Sequence, residues 1–110
     1  MDKQLLKEIN RLHAEVCGGL SDPKRIAILY ALAEGRKSVM ELAETLETPQ
    51  PTISRHLKIL RERGMVIPER KGANIIYRLG DKRIIKALDL LREMLGAHLN
   101  KRSAIAEAIH

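Results

Sequence analysis

Residues 48–64, TPQPTISRHLKILRERG, carry hydroxyl, amide and cationic side chains at the spacing of an amphipathic helix. At about 100° per residue, Ile53, Leu57 and Leu60 share one side of this helix. The polar side chains fall on the other side or at its flanks. Side chains of these types contact base edges and phosphate oxygens in nucleic acids, and a helix N-terminus also favours phosphate. The candidate contacts on this helix are Gln50, Pro51, Thr52, Ser54, Arg55 and Lys58.

The beginning of this helix is marked by two prolines. Thr48 is predicted to be the N-cap and is counted among the candidate contacts. The prolines then lie in the first turn, where backbone N–H groups have no intrahelical partner. In the preceding segment, Ser38 and Glu41 stand at capping-box spacing and predict a short helix. Residues 38–63 therefore predict a helix-turn-helix, whose second helix, the recognition helix, enters a DNA major groove.

A β-hairpin is predicted directly after the recognition helix, at residues 65–79. The segment MVIPERKGANIIYRLG contains two β-branched runs around KGAN, a pattern typical of a hairpin. Pro68 has no N–H, which favours an edge position for the first strand. Cations at the hairpin tip would reach a phosphate or the minor groove beside the recognition helix, as a wing does. The candidate contacts at this tip are Arg70, Lys71 and Asn74.

Both ends of the chain carry narrow aliphatic stripes at helical spacing. The first lies within residues 1–17, and the second lies within residues 82–110, after Asp81 as a predicted N-cap. Stripes this narrow are typical of helices that pack on other helices, and they predict a homodimer. The predicted fold class is therefore mainly α with a β-hairpin wing, in a single winged helix-turn-helix domain over residues 1–110. The stripes consist of Leu5, Ile9, Leu12 and Val16, and of Ile84, Leu88, Leu91, Leu95 and Leu99.

Composition limits the classes of function. The net charge of +6 favours a polyanionic partner. Only two aromatic residues are present, which argues against single-strand readers that rely on stacking. The single cysteine excludes an intramolecular disulfide, no apolar run approaches the ~18 residues of a membrane span, and the charged N-terminus does not resemble a signal peptide. We expect a cytoplasmic protein. No phosphate loop, paired-carboxylate pocket or nucleophile motif is found, so an enzyme is not expected.

Four successive blocks, LSDPKRIAIL, SVMELAETL, QPTISRHLKILRERGMV and RKGANIIYRL, are similar to those of the winged-helix regulators of the arsenic-repressor (ArsR/SmtB) type. The blocks occur in the same order and at the expected spacing. The resemblance implies a homodimer built from the first and last helices, with a recognition helix near residues 50–63 and a wing near residues 66–78. It also implies an operator-binding repressor that is released by a metal or another signal. It would bring Gln50, Thr52, Ser54, Arg55 and His56 to or near the DNA.

Two effector sites known in that family have no counterpart here. The Cys-x-Cys thiol site falls on Ser38 and Met40. The zinc pattern of the last helix, Asp-x-His with a later His-x-x-Glu, fails after Asp89 and again after His98. No resident cofactor and no metal site are therefore assigned.

The remaining effector candidates are Cys17 and His13, four residues apart on one helical face. With His98 or His110 from across a dimer, they would bind zinc or a similar soft metal. Alternatively, Cys17 alone would be a redox or persulfide sensor. In a third interpretation, Cys17 is a small buried hydrophobic residue without a regulatory role.

Two functions from different classes agree with these patterns. The first is a sequence-specific regulator of transcription, a homodimeric repressor that binds double-stranded DNA at an inverted-repeat operator. The alternative is a winged-helix protein-interaction module without a nucleic-acid role. The alternative predicts an apolar or acidic recognition face, whereas this one carries Arg55 and Lys58. A basic helical face can also be merely solvated, so order and spacing of the blocks carry the interpretation.

Overall fold

The computed structural model describes residues 1–109, and it confirms a mainly α fold with a β-hairpin wing. A π-helical segment, Leu12–Cys17, continues the first helix. The helices are α1 (Lys3–Arg11), α2 (Pro23–Ala33), α3 (Val39–Thr45), α4 (Gln50–Glu62) and α5 (Arg83–Ile109), and the strands are β1 (Lys37–Ser38), β2 (Val66–Lys71) and β3 (Asn74–Leu79).

Local capping determines where α2 and α3 begin. The Asp22 carboxylate accepts a hydrogen bond from the backbone N–H of Lys24 at 2.7 Å, one residue after the helix starts at Pro23. Ser38 Oγ accepts from the backbone N–H of Glu41, and Glu41 Oε1 accepts from the N–H of Ser38, both at 3.1 Å. The predicted capping box is therefore confirmed.

The sheet has the strand order β1-β3-β2, and both pairs are antiparallel. β2 and β3 form the predicted hairpin, with Lys71 opposite Asn74 at its tip. Gly72 in the turn has a φ of 61°, which glycine adopts without a Cβ clash. Pro68 lies on β2, an edge strand, as its missing N–H predicted. Strand β1 was not predicted, because two residues are too few to display an alternating pattern.

One aliphatic core lies between α2, α3, α4 and the sheet. The predicted stripe of α4 is confirmed, since Ile53, Leu57 and Leu60 are at most 1% exposed. Burial of one such side chain stabilises the fold by about 1.5–3 kcal/mol relative to leaving it in water. The stripe therefore fixes which side of α4 faces outward. The core consists of Ile28, Leu29, Ala31, Leu32, Leu42, Ile53, Leu57, Leu60, Met65, Val66 and Leu88.

The terminal helices contribute little to this core. Leu5 and Ile9 on α1 are 42% and 43% exposed, and Leu95 on α5 is 56% exposed. Within the described part of α5, Leu88 is the one buried side chain, at 6% exposure. The aliphatic stripe of α5 thus has two parts: its first turns pack on the winged core, and the rest faces outward.

The first helical region changes its winding after Arg11. Asp2 caps α1, and its carboxylate accepts from the N–H groups of Gln4 and Leu5 at 3.2 and 3.3 Å. Beyond Arg11 the chain is π-helical, and the backbone N–H of Gly18 donates to the carbonyl of residue 13. The sequence predicted a uniform helix here, because steps of three and four between apolar residues fit either winding.

Asp81 caps the N-terminal end of α5. The carboxylate of Asp81 accepts a hydrogen bond from the backbone N–H of Arg83 at 2.9 Å, as the predicted cap requires. The helix is 27 residues long. Neither α5 nor any other helix in residues 1–109 is both long and apolar enough to cross a bilayer.

Candidate nucleic-acid interface

The turn between α3 and α4 is closed by hydrogen bonds to the end of α3. The backbone N–H of Thr48 donates to the Ala43 carbonyl at 2.9 Å, and that of Glu47 donates to the Glu44 carbonyl at 3.3 Å. This is the pattern of a Schellman motif. Glu47 occupies the left-handed position of the motif, with a φ of 48°, where a side chain costs about 1–2 kcal/mol relative to glycine. The turn therefore sets the direction in which α4 leaves α3.

Thr48 is not the N-cap of α4, so this prediction was wrong. The N-cap is Pro49, and no side chain caps the helix. Thr48 is 9% exposed. Its hydroxyl donates to the Leu46 carbonyl and accepts from Lys24 Nζ, both at 2.9 Å. Because both interactions are internal, Thr48 closes the turn and does not offer its hydroxyl to a ligand on the surface.

The side of α4 opposite the core is polar. The guanidinium of Arg55 donates to Thr52 Oγ1 at 3.3 Å, one turn earlier, which holds it beside the N-terminal turn of the helix. The aliphatic side of α4 thus packs in the core and fixes the helix, and the polar side remains accessible to solvent. Of the predicted contacts on α4, Gln50, Pro51, Ser54, Arg55 and Lys58 are exposed, and Thr52 and His56 are half-buried.

The wing carries exposed cations at its tip and an ion-pair cluster behind it. Glu69 on β2 accepts from Arg36 Nη1 at 2.7 Å through one carboxylate oxygen and from Arg78 Nε through the other. No local sequence pattern predicts this cluster, because Arg36 lies 33 residues from Glu69. The cluster links β2, β3 and the segment before β1, and so it supports the base of the wing. The exposed residues at the tip are the predicted contacts Arg70, Lys71 and Asn74.

Two cations in the first turn of α2 contact the helix-turn-helix, and these contacts were not predicted from the sequence. Lys24 binds the turn through Thr48, and Arg25 Nη1 lies 3.3 Å from Nδ1 of His56 on α4. Arginine only donates hydrogen bonds, so Nδ1 of His56 is the acceptor and the ring proton is on Nε2. These partners are 24 and 31 residues apart, so no local pattern connects them.

Within one chain, the effector candidates His13 and Cys17 do not belong to a larger group of metal-ligating side chains among residues 1–109. His13 and Cys17 are both exposed in the single chain, and the interpretation of Cys17 as a hydrophobic residue buried in the dimer seam beside Val16 stays a prediction. No cluster of three or more histidine, cysteine or acidic side chains suited to a metal occurs among residues 1–109. His98 is exposed on α5, and His110 lies outside the described residues. The metal and redox interpretations stay predictions.

Asp89, which matches the first ligand of the absent zinc pattern, has a different role here. Tyr30 on α2 donates its hydroxyl to Asp89 on α5 at 2.6 Å. This hydrogen bond is the main reason that the pKa of Tyr30 is raised, and partial burial adds to it. The Arg92 guanidinium lies 5.2 Å from the centre of the Tyr30 ring, within cation–π range. The cluster therefore joins α5 to the winged core.

The fold and this surface define a winged helix-turn-helix protein with a basic recognition helix and a cationic wing tip. A family model described as "Bacterial regulatory protein, arsR family" matches residues 22–67. The chain is also 38% identical over 82 residues to an uncharacterized HTH-type transcriptional regulator of Methanocaldococcus jannaschii, a match that covers 74% of this chain and 92% of that protein. The protein belongs to the arsR family of bacterial regulatory proteins.

Two further similarities agree with this family. The chain is 44% identical over 75 residues to the HTH-type transcriptional repressor SmtB of Mycobacterium tuberculosis, which covers 68% of this chain and 56% of the length of that repressor. A solved homodimeric winged helix-turn-helix DNA-binding domain from Mycobacterium bovis superposes with a TM-score of 0.76, covering 90% of this chain and 91% of that one at 24% identity. The second similarity shows a shared fold.

Proposed function

We propose that this protein is a homodimeric regulator that binds double-stranded DNA at an inverted-repeat operator and represses transcription there. The observation that carries the proposal is the composition of α4. Its core side is completely buried, and its outer side presents Gln50, Ser54 and Arg55 near the N-terminus of the helix. In winged helix-turn-helix proteins such a helix enters the major groove. The cationic tip of the wing follows directly in the chain.

The exposed side chains divide into base readers and phosphate contacts. Arginine binds the O6 and N7 edge of guanine, and glutamine binds the N6 and N7 edge of adenine. Arg55 and Gln50 are therefore the proposed base readers. Lys58 on α4 and the wing-tip cations Arg70 and Lys71 are the proposed phosphate contacts, which position the protein without selecting a sequence.

The terminal helices supply the proposed dimer. Aliphatic side chains on these helices, such as Leu5, Ile9 and Leu95, remain 42%, 43% and 56% exposed in the single chain. A two-fold axis through this surface would place two recognition helices on one face of the DNA. Half-site centres would then be one helical turn apart, about 10 base pairs, or a multiple of it. The homodimeric domain from Mycobacterium bovis, which has the same fold, supports this arrangement.

The repressor part of the proposal draws on the relative named SmtB, a transcriptional repressor. The proposal assigns no catalytic activity, and it places the protein in the cytoplasm with its DNA partner. The alternative, a protein-interaction module, is less compatible with the outer side of α4, because Arg55 and Lys58 are exposed there.

A direct titration tests this function. Genomic fragments captured by the purified protein are sequenced, and the best fragment is titrated by fluorescence anisotropy beside a shuffled fragment of equal composition. We expect the operator to bind at least about a thousandfold more tightly at physiological salt. Affinity should fall with salt, with a log–log slope of about −0.9 per phosphate contact. Equal affinities for the two fragments, or no binding, would reject the proposal and favour the protein-interaction module.

We propose that any thiol-directed or metal effector acts through Cys17, with His13 as its neighbour. Cys17 is exposed at the end of the helical region assigned to the dimer. Modification there would change the angle between two winged domains, and small rotations displace recognition helices from successive grooves. Zinc, a sulfane-sulfur donor or peroxide should then weaken operator binding by the wild type and not by Cys17→Ser. An equal response of both proteins would remove Cys17 from the mechanism.

A further inference from the structure

We propose that Arg25 is a positioning residue for DNA binding. It orients the recognition helix α4 through His56 and ties that helix to the turn that ends the N-terminal helical region. This inference rests on the proposed DNA-binding function, and it assigns a role to a side chain outside the DNA-facing surface. Three sets of contacts support it.

First, the Arg25 guanidinium bridges two elements with all of its nitrogens. Nε donates to the Gly19 carbonyl at 2.8 Å, and Nη2 donates to Ser21 Oγ at 3.2 Å and to the Gly18 carbonyl at 3.4 Å. Nη1 points the other way, to His56 at 3.3 Å. A planar guanidinium holds two partners in a fixed geometry, whereas the three donors of a lysine ammonium rotate and impose no such geometry. Arg25 therefore sets the spacing between α4 and the turn at residues 18–21.

Second, His56 lies on α4 between its outer, polar side and its buried, aliphatic side. It follows Arg55, a proposed base reader, and precedes Leu57, which is 1% exposed in the core. Its ring is half-buried, and the hydrogen bond from Arg25 fixes one tautomer, with the proton on Nε2. A change in this contact would therefore alter the rotation of α4 at the turn that carries Arg55.

Third, the same turn also packs on the C-terminal end of α4. A Cβ atom added to Gly19 would lie 2.8 Å from Met65 Sδ and 3.0 Å from Arg63 Cδ. One added to Gly18 would lie 3.5 Å from Arg63 Nη2. In the part of the chain that the structure describes, Arg63 Nε is buried without a hydrogen-bond partner. The turn thus contacts α4 in its middle, through Arg25, and just beyond its end.

These contacts join the proposed dimer helices to the proposed DNA-reading helix. The turn at residues 18–21 follows Cys17 directly, at the end of the π-helical segment. A displacement of the N-terminal helical region therefore moves carbonyl groups that Arg25 holds, and Arg25 in turn holds His56. Arg25 is therefore the side chain that connects this turn to the middle of α4, beside the contacts of Gly18 and Gly19 with Arg63 and Met65.

A direct phosphate contact by Arg25 is the competing explanation, and it predicts a different result. Loss of a phosphate contact weakens binding to all sequences alike and reduces the salt slope by about one. Loss of a positioning residue weakens binding to the operator more than binding to shuffled DNA, because the base readers are misplaced. It leaves the salt slope unchanged, because the phosphate contacts remain.

The experiment is a double-mutant cycle of Arg25→Lys and His56→Gln. The matched control is Arg102→Lys, the same change at an exposed position of α5. Each protein is titrated with operator and shuffled DNA at several salt concentrations. We expect Arg25→Lys to weaken operator binding about tenfold, with a similar loss for His56→Gln and no further loss in the double variant, as coupled contacts require. Shuffled DNA should bind within about twofold of wild type, and Arg102→Lys should behave as wild type.

The ¹⁵N resonances of the His56 ring supply a second measurement that a general loss of stability would not change. In the wild type they should report a proton on Nε2, and in Arg25→Lys a mixture of tautomers.

Equal weakening of operator and shuffled DNA with a reduced salt slope, or strictly additive losses in the cycle, would overturn the positioning role. If Arg25→Lys does not fold, His56→Gln tests the same contact from the other side. A wild type that binds no operator rejects the proposed function itself, whereas normal binding by Arg25→Lys rejects only this inference.

Discussion

Leucines on two helices of this protein have opposite environments. Leu57 on α4 is 1% exposed, whereas Leu95 on α5 is 56% exposed. Both belong to aliphatic stripes at helical spacing, and the narrow stripe that contains Leu95 was predicted to pack on a second chain. The difference is that α4 packs on α2, α3 and the sheet of its own chain, whereas Leu91, Leu95 and Leu99 on α5 remain at least half exposed. The winged half completes its core within one chain, and the proposed dimer would cover the terminal half with a second one.

This contrast has a thermodynamic meaning. The stability of the winged half is a property of the chain alone. In the proposed dimer, the burial of the terminal stripes comes from a partner, so it would depend on protein concentration through mass action. Substitutions in the two halves should therefore differ in kind as well as in size.

The largest effect is expected in the winged core. Leu57→Ala should lower the free energy of unfolding by about 2–5 kcal/mol, because it removes buried methyl groups and leaves a cavity. The measurement is urea denaturation followed by circular dichroism. Leu91→Ala, the same change at a side chain that is 53% exposed, is the control. At a concentration where the protein is monomeric its effect should be small, and equal losses would abolish the distinction between the halves.

The next largest effect concerns association. Leu95→Glu should raise the dimer dissociation constant about thirtyfold or more, since side chains central to an interface contribute about 2 kcal/mol or more. Sedimentation equilibrium measures it, and the circular dichroism of the winged half should be unchanged. Leu90→Glu, one position off the stripe and 65% exposed, is the matched control. If it disrupts the dimer equally, the stripe is not the interface.

Within the winged half, two cations should have different effects on DNA binding. Arg55→Ala should cost about 1–3 kcal/mol of operator affinity and relax the preference at one base position. Lys71→Ala should weaken binding to all sequences alike and reduce the salt slope by about one. Anisotropy titrations with operator and shuffled DNA measure both. A uniform loss for Arg55→Ala would make Arg55 a phosphate contact.

The smallest effect lies where the two halves meet, at the start of α5. The hydrogen bond from the Arg83 side chain, with a second from its backbone, lowers the pKa of Asp81 from 3.8 to about 2. Because the pKa of Asp81 is lower in the folded protein, the ionised carboxylate stabilises the fold. This stabilisation is complete above the unfolded pKa of 3.8 and is lost as the pH falls through the folded pKa of about 2. Thermal unfolding of Asp81→Asn should therefore depend less on pH between these values. An unchanged pH profile would show that the pairing with Arg83 does not affect stability.

The sequence predicted those features that depend on neighbours in the chain. The capping box of Ser38 and Glu41, the cap at Asp81 and the buried stripe of α4 were all confirmed, because each follows from spacing within two helical turns. The hairpin was predicted from its β-branched runs and the turn glycine.

Features that depend on distant residues were missed. Thr48 was predicted to be an N-cap from its position before Pro49, but Lys24, 24 residues away, binds its hydroxyl inside the turn. The contact of Arg25 with His56 spans 31 residues. Neither contact produces a periodic pattern in the sequence. The exposure of Gln50, Ser54, Arg55 and Lys58 follows from helical spacing, whereas the side chains that hold that surface in place were not predicted.

The position of Pro68 on β2 has a consequence for how copies of the chain can meet. An edge strand with free N–H and C=O groups invites strand addition from another molecule, a route to fibrils. Here β2 lacks one donor at Pro68 and ends in Arg70 and Lys71, which repel an identical edge. The opposite edge, β1, is only two residues long. Both edges of the sheet thus disfavour strand addition, which leaves the helices as the surface for the closed pair that we propose.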